Sequence, residues 1–261
     1  MPLDPSTFRF SSFIANASPA TPRLPLVHTC EGAKLVRLLG DAALRPNDDP
    51  TSKEYLQFDE ALLFFYYGRP AFRKDVGNVD NDAWRLCCLV LADDDARPIK
   101  RVLPFDSGAF ERYEQWIHQS MDVRDFEAGT SLDAAARIVS TFFGTNERYY
   151  RGKPLELVPG APYTTASCYA TLIRAQGRLA VDDRRRTIEV QVSKPVSLDK
   201  KVLAVVLPQS FVDDAELRRV IISEWGAEVI PYESYTPSPA AAVETIFARV
   251  DGFLRSSGAF G

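Results

Sequence analysis

Apolar positions along this chain fall into two kinds of pattern, and polar breaks separate them. Apolar or aromatic runs occupy Leu62 to Phe65, Trp84 to Ala92 (interrupted at Arg85) and Val202 to Leu207, and Ile99 to Phe105 looks like another strand despite Lys100 and Arg101. Each has strand length and is rich in β-branched or aromatic residues, so each predicts a strand. Thr187 to Val192 instead alternates. Ile188, Val190 and Val192 take one face and Thr187, Glu189 and Gln191 the other, which predicts a half-buried strand. Leu24 to Thr29 and Val229 to Tyr232 are further short apolar segments.

Helical spacing appears elsewhere. Leu35, Leu38 and Leu39 recur at that spacing and Gly40 offers a stop. Phe110 to Gln119 has the same period, as does Leu132 to Phe143, where Ser131 and Asp133 are suited to capping. Asp213 to Trp225 predicts an amphipathic helix stopped by Gly226, and Ser238-Pro239 opens a terminal helix through about Leu254. Cys168 to Arg174 fits a short helix or a strand equally. Asn146 to Ser167, with Pro154, Pro159, Gly160 and Pro162, reads as loop. Residues 1–23, rich in Ser, Pro, Ala and Thr, read as a partly ordered N-terminal arm. Strands and helices do not alternate in sequence, so the expected class is α+β, with one domain over residues 1–261.

Composition narrows the functions. The net charge of −4 provides no global basic field for nucleic acid, although a local basic groove stays open. The four cysteines form no CxxC pair and only two histidines exist, which argues against a cysteine/histidine zinc site, so no metal is expected. Cys87-Cys88 lies in an apolar run, where free cysteine acts as a small hydrophobe, and the usage suits a reducing compartment. No apolar segment follows a basic start at the N-terminus, and no stretch reaches the length of a membrane span. The expectation is a soluble cytoplasmic protein with no membrane partner.

Three places carry candidate chemistry. The first is Leu62-Leu63-Phe64-Phe65-Tyr66-Tyr67-Gly68-Arg69-Pro70-Ala71-Phe72-Arg73, a strand-like run broken by Gly68 and Pro70. A buried strand ending in a surface turn accounts for its first half. Arg69 and Arg73 add planar forks of donors suited to phosphate, and Tyr66 and Tyr67 add faces on which a ring can stack. The second is Glu189. Its position on the polar side of an alternating strand reads first as a solvent-facing edge. The alternative is a carboxylate held on a strand to line a cleft and stabilise positive charge at an anomeric carbon. The third is His28-Thr29, which also reads as an ordinary strand end. No GxSxG, Walker A or GxGxxG pattern occurs, and Asp93-Asp94-Asp95 reads as a solvated turn.

The order of these motifs resembles a family. His28-Thr29 before a short helix and a "small-Leu-Arg-Pro" turn (Ala43-Leu44-Arg45-Pro46) looks like the opening of the ADP-ribosyltransferase fold, and in particular of DarT-type nucleic-acid ADP-ribosyltransferases. Phe64 to Phe72 resembles that family's aromatic "FYF…R-x-P-M-L" segment. Arg185-Arg186-Thr187-Ile188-Glu189-Val190 resembles the late strand that bears its catalytic glutamate. The resemblance spans roughly Leu26 to Leu207 with gaps. It implies a split mixed β-core with flanking helices that binds NAD as co-substrate and transfers ADP-ribose to a macromolecular acceptor, DNA or RNA among them, as a toxin or defence effector would. By position, His28 and Thr29 would hold the nicotinamide end, Tyr66 or Tyr67 would line it, Arg69, with Arg73 in reserve, would contact the pyrophosphate, and Glu189 would be catalytic. Thr187 stands where many transferases carry Gln or Glu, which leaves the acceptor open. An NAD glycohydrolase and a non-catalytic nucleotide- or partner-binding protein of the same fold are the alternatives.

Overall fold

The computed structural model describes residues 8–72, 81–94, 97–175, 183–233 and 239–260; Arg73 lies outside them. Strands are β1 (Leu26–Glu31), β2 (Ala43–Leu44), β3 (Leu63–Tyr67), β4 (Leu86–Leu91), β5 (Ile99–Leu103), β6 (Glu189–Val192), β7 (Val196–Ser197), β8 (Val202–Pro208) and β9 (Glu228–Tyr232). Helices are α1 (Phe10–Ile14), α2 (Gly32–Asp41), α3 (Lys53–Phe58), α4 (Leu132–Phe142), α5 (Asn146–Tyr150), α6 (Thr164–Arg174), α7 (Gln209–Val212), α8 (Ala215–Arg219) and α9 (Pro239–Ser256). The class is α+β, with mostly antiparallel strands and flanking helices. The chain divides into two interleaved compact units, one of Pro25–Pro98 with Val192–Ser257, the other of Met1–Leu24, Ile99–Gln191 and Gly258–Gly261.

The first unit is built on a sheet in which β3, β1, β4, β8 and β9 lie side by side in that order. β1 runs antiparallel to β3 and β4, β8 antiparallel to β4, and β9 parallel to β8. All six residues of β4 are buried. That is why its sequence is a continuous apolar run and not an alternating one. α9 packs on β4, β8 and β9. Its buried Val243, Ile246, Val250 and Leu254 form one stripe at helical spacing. α2 runs past the expected stop at Gly40 and ends instead on Ala42, which takes the left-handed conformation at φ 49°. An alanine there costs roughly 1–2 kcal/mol relative to relaxed backbone.

The second unit holds the β5–β6 pair and most of the short helices. Its core is aromatic. Phe10 of α1 stacks on Phe142 of α4, with centroids 5.7 Å apart and planes 3° from parallel, and meets Tyr169 of α6 edge-on at 5.6 Å. Phe105 contacts Phe126 at 5.1 Å. Full burial of one such ring stabilises by about 1.5–3 kcal/mol. Residues 8–23 of the composition-defined arm therefore include a helix whose Phe10 and Ile14 are buried.

Several segments differ locally from the elements that their sequence predicts. The loop expected over Asn146 to Ser167 contains α5 and the start of α6. Thr145 caps α5 by accepting from the Arg148 N–H, a signal that the prolines downstream obscured. Cys168 to Arg174 is helical. The helix expected at Phe110 to Gln119 is a 3₁₀ segment, Ser107–Tyr113, capped by Asp106 through the Gly108 N–H. In place of one helix over Asp213 to Trp225, Asp214 caps α8, which continues as a π turn over Val220–Glu224.

Candidate functional site

Glu189 opens β6, and the structure overturns the solvent-facing reading of this strand. All four of its residues are buried, and Glu189 is 1% exposed. Its partners explain how a carboxyl group tolerates this. The Ser107 N–H donates to Oε2 at 3.0 Å, and the Ser107 hydroxyl lies 2.8 Å from Oε1 and 3.1 Å from Oε2. Gln191 Nε2 donates to Oε1 at 2.7 Å. Two residues apart on one strand face, Glu189 and Gln191 meet side by side.

The network extends away from Glu189. Gln191 Oε1 accepts from Arg101 Nη1 at 2.7 Å, and Arg101 Nε donates to Glu127 Oε1 at 2.8 Å. The other neighbour is Asp106, itself buried. It accepts the Gly108 N–H at 2.9 Å and faces Arg184 Nη1 at 3.9 Å. Arg184 and Arg185 are only 4% and 1% exposed. Two of the three consecutive arginines at 184–186 are thus core residues.

Electrostatics follow from this packing. Burial raises the Glu189 pKa from 4.5 to about 8, and the Asp106 charge pushes the same way. The hydrogen bonds from Gln191 and Ser107 oppose the shift without cancelling it. Glu189 is thus a carboxyl poised to exchange a proton near neutral pH. The Ser107 hydroxyl suits both states, because it can donate to the carboxylate or accept from the acid. A carboxyl raised by burial beside a second buried carboxyl group, Asp106, occurs at functional sites and also in buried structural networks.

The remaining candidates belong to the sheet unit. The β1–β3 register sets Leu26 opposite Tyr67 and Val27 opposite Tyr66. Alternation then puts His28 and Tyr67 on one face and Thr29 and Tyr66 on the other. The expected cluster is therefore split across the sheet. Tyr67 is fully buried, so Tyr66, half-buried, is the tyrosine with surface to offer a ring. His28 Nδ1 lies 2.9 Å from the Phe64 carbonyl, and Lys34 Nζ lies 3.3 Å from Nε2. The carbonyl requires Nδ1–H, which leaves Nε2 as acceptor for Lys34. Burial first, then the Lys34 charge, lowers the His28 pKa to about 3, so the ring is neutral. The Thr29 hydroxyl donates to the Ala71 carbonyl at 2.7 Å. Gly68 takes φ +68°, the turn that ends β3, and Arg69 follows it, 5% exposed, with its guanidinium 5.2 Å from the centre of the Phe247 ring.

Sequence reasoning missed Ser107, Asp106 and Arg101 as neighbours of Glu189. Asp106-Ser107-Gly108 has the form of a capped turn, and that is how it reads locally; pairing with a residue 82 positions away leaves no local mark. Cys30, Cys87 and Cys88 are buried free thiols. Burial raises all three thiols, Cys30 to about 12. Among the described residues no group of three or more His, Cys, Asp or Glu could hold a metal ion, and no helix is long and apolar enough to cross a membrane.

The chain matches no family model, no curated protein and no solved structure.

Proposed function

We propose that this protein is an NAD-dependent ADP-ribosyltransferase that breaks the nicotinamide–ribose bond and passes ADP-ribose to a macromolecular acceptor, with nucleic acid the first class to test. The observation that carries the reading is the Glu189 carboxyl at the head of β6, fixed before any substrate arrives by Ser107 and Gln191. Cleavage of the glycosidic bond develops positive charge on the ribose. A carboxylate already oriented stabilises that charge without reorganisation. Its raised pKa means that the ionised form, the one able to do this, grows as pH rises towards about 8. His28, Thr29, Tyr66 or Tyr67, and Arg69 with Arg73 in reserve are the residues that the family resemblance assigns to NAD itself. Transfer to water would make the protein an NAD glycohydrolase instead.

The same geometry favours one further reading. Both Glu189 oxygens already have donors and the residue is 1% exposed, which suits a structural lock in a nucleotide- or partner-binding protein without turnover. Incubation with NAD labelled in the adenylate moiety, offering DNA, RNA and protein acceptors while following free nicotinamide, separates these outcomes. Label on an acceptor supports transfer. Nicotinamide release without labelled acceptor supports hydrolysis. Saturable NAD binding with neither supports the non-catalytic reading.

A further inference from the structure

Arg97 follows β4 in the sheet unit and is only 8% exposed. Two contacts pin its guanidinium. Nη1 donates to the Ala92 carbonyl just past the end of β4, and the Arg97 Cζ lies 5.9 Å from the centre of the Phe65 ring. The other two nitrogens, Nε and Nη2, are buried and have no hydrogen-bond partner among the described residues. These two atoms form one side of the guanidinium plane. Their N–H bonds point in parallel, the arrangement that matches two oxygens of one carboxylate or phosphoryl group. A buried charged donor without an acceptor costs more than an ordinary missed hydrogen bond, so a fork left this way is expensive to keep.

Among the described residues no carboxylate fills the fork. Asp93 and Asp94 both act on the Arg97 charge from nearby, yet neither accepts from Nε or Nη2. Asp94 Oδ2 instead pairs with Lys201 Nζ at 2.8 Å, and Asp93 is exposed.

We infer that the Nε/Nη2 fork of Arg97, seated on Phe65 and anchored to the Ala92 carbonyl, is a binding site for a small oxyanion group, a phosphoryl or carboxylate with two coplanar acceptor oxygens. The site stands whether or not the protein turns over NAD.

The test is a set of thermal melts on the full chain, titrated with inorganic phosphate, pyrophosphate or acetate at constant ionic strength held with chloride. Wild type, Arg97→Met and Arg97→Lys are compared. Wild type is expected to gain stability in a saturable way with a phosphoryl or a carboxylate probe, and which of the two acts identifies the ligand chemistry. Arg97→Met should lose that response. Its melting point without anion should equal or exceed that of wild type, since an apolar side chain there leaves no unpaired donors. Arg97→Lys keeps the charge but not the fork, and its apparent affinity should fall by about tenfold or more. The inference is overturned if no probe stabilises wild type beyond Arg97→Met. It is also overturned if Arg97→Lys binds as wild type does, because the charge alone then suffices.

Discussion

At the scale of single residues, Glu189 makes opposite demands on stability and on activity. Its pKa in the folded protein, about 8, lies above the 4.5 of the free side chain. The folded state therefore holds the proton more tightly than the unfolded chain. The stabilisation this gives is complete below about pH 4.5 and is lost as pH rises through 8. Glu189→Gln never ionises and should overtake wild type in melting temperature as pH rises from 6 to 9. An unchanged gap across that range would show that the Glu189 carboxyl does not titrate there. Under the transferase reading the same variant should lose about 10²- to 10³-fold in nicotinamide release while NAD affinity changes far less. Ser107→Ala removes the hydroxyl contact but keeps the backbone N–H. With one donor to the carboxylate gone, the Glu189 pKa should rise further, moving the alkaline rise of turnover to higher pH. A profile that keeps its position while only its height falls would count against Ser107 as a positioning residue.

At the scale of elements, strands were legible where burial on both faces leaves a continuous apolar run, as in β4 and in β8 from Ala204 onward. β6 was located correctly but its polar face was not. Alternation says which residues share a side, and it cannot say that the polar side is filled by Ser107, Gln191 and Arg101 from inside the protein. The short helices α1 and α5 were missed for a related reason. They are set by capping and by aromatic contacts distant in sequence, with too few turns to show a period. His28 shows the energetic side of such contacts, since it joins β1 to β3 through the Phe64 carbonyl. Its pKa in the folded state, about 3, lies below the ordinary 6.5, so the unfolded chain binds the proton more readily. Stability linked to His28 is complete above pH 6.5 and is lost as pH falls towards 3. His28→Asn keeps a donor near the place of Nδ1 and does not titrate. Urea midpoints measured from pH 7 to pH 4 should decline less steeply for this variant than for wild type, and parallel declines would show that other groups govern the acid limb.

At the scale of the whole molecule, the compact units do not follow the order of the chain. The helical unit takes its long middle segment from Ile99–Gln191 but completes itself with residues from both ends. Phe10 fills the space between Phe126, Phe142 and Tyr169. Arg23 pairs with Asp133 at 2.7 Å. The Asn146 side chain donates to the carbonyls of Pro22 and Ala259 at 2.7 and 2.9 Å, tying both termini to α5. Composition placed residues 1–23 outside the core because Ser, Pro and Ala dominate there, but a single buried phenylalanine outweighs that average. Two measurements test this. In the full chain, Phe10→Ala should cost about 3–5 kcal/mol by denaturant unfolding, the usual range for emptying a buried aromatic site. An isolated fragment of residues 99–191 should show no cooperative thermal transition, because removing Phe10 exposes three aromatic rings at once and leaves Asn146 without either carbonyl. Adding a peptide of residues 8–24 in trans should restore part of the lost structure, and the same peptide with Phe10→Ala should not. A fragment that melts cooperatively on its own would show that the terminal segments decorate this unit and do not complete it.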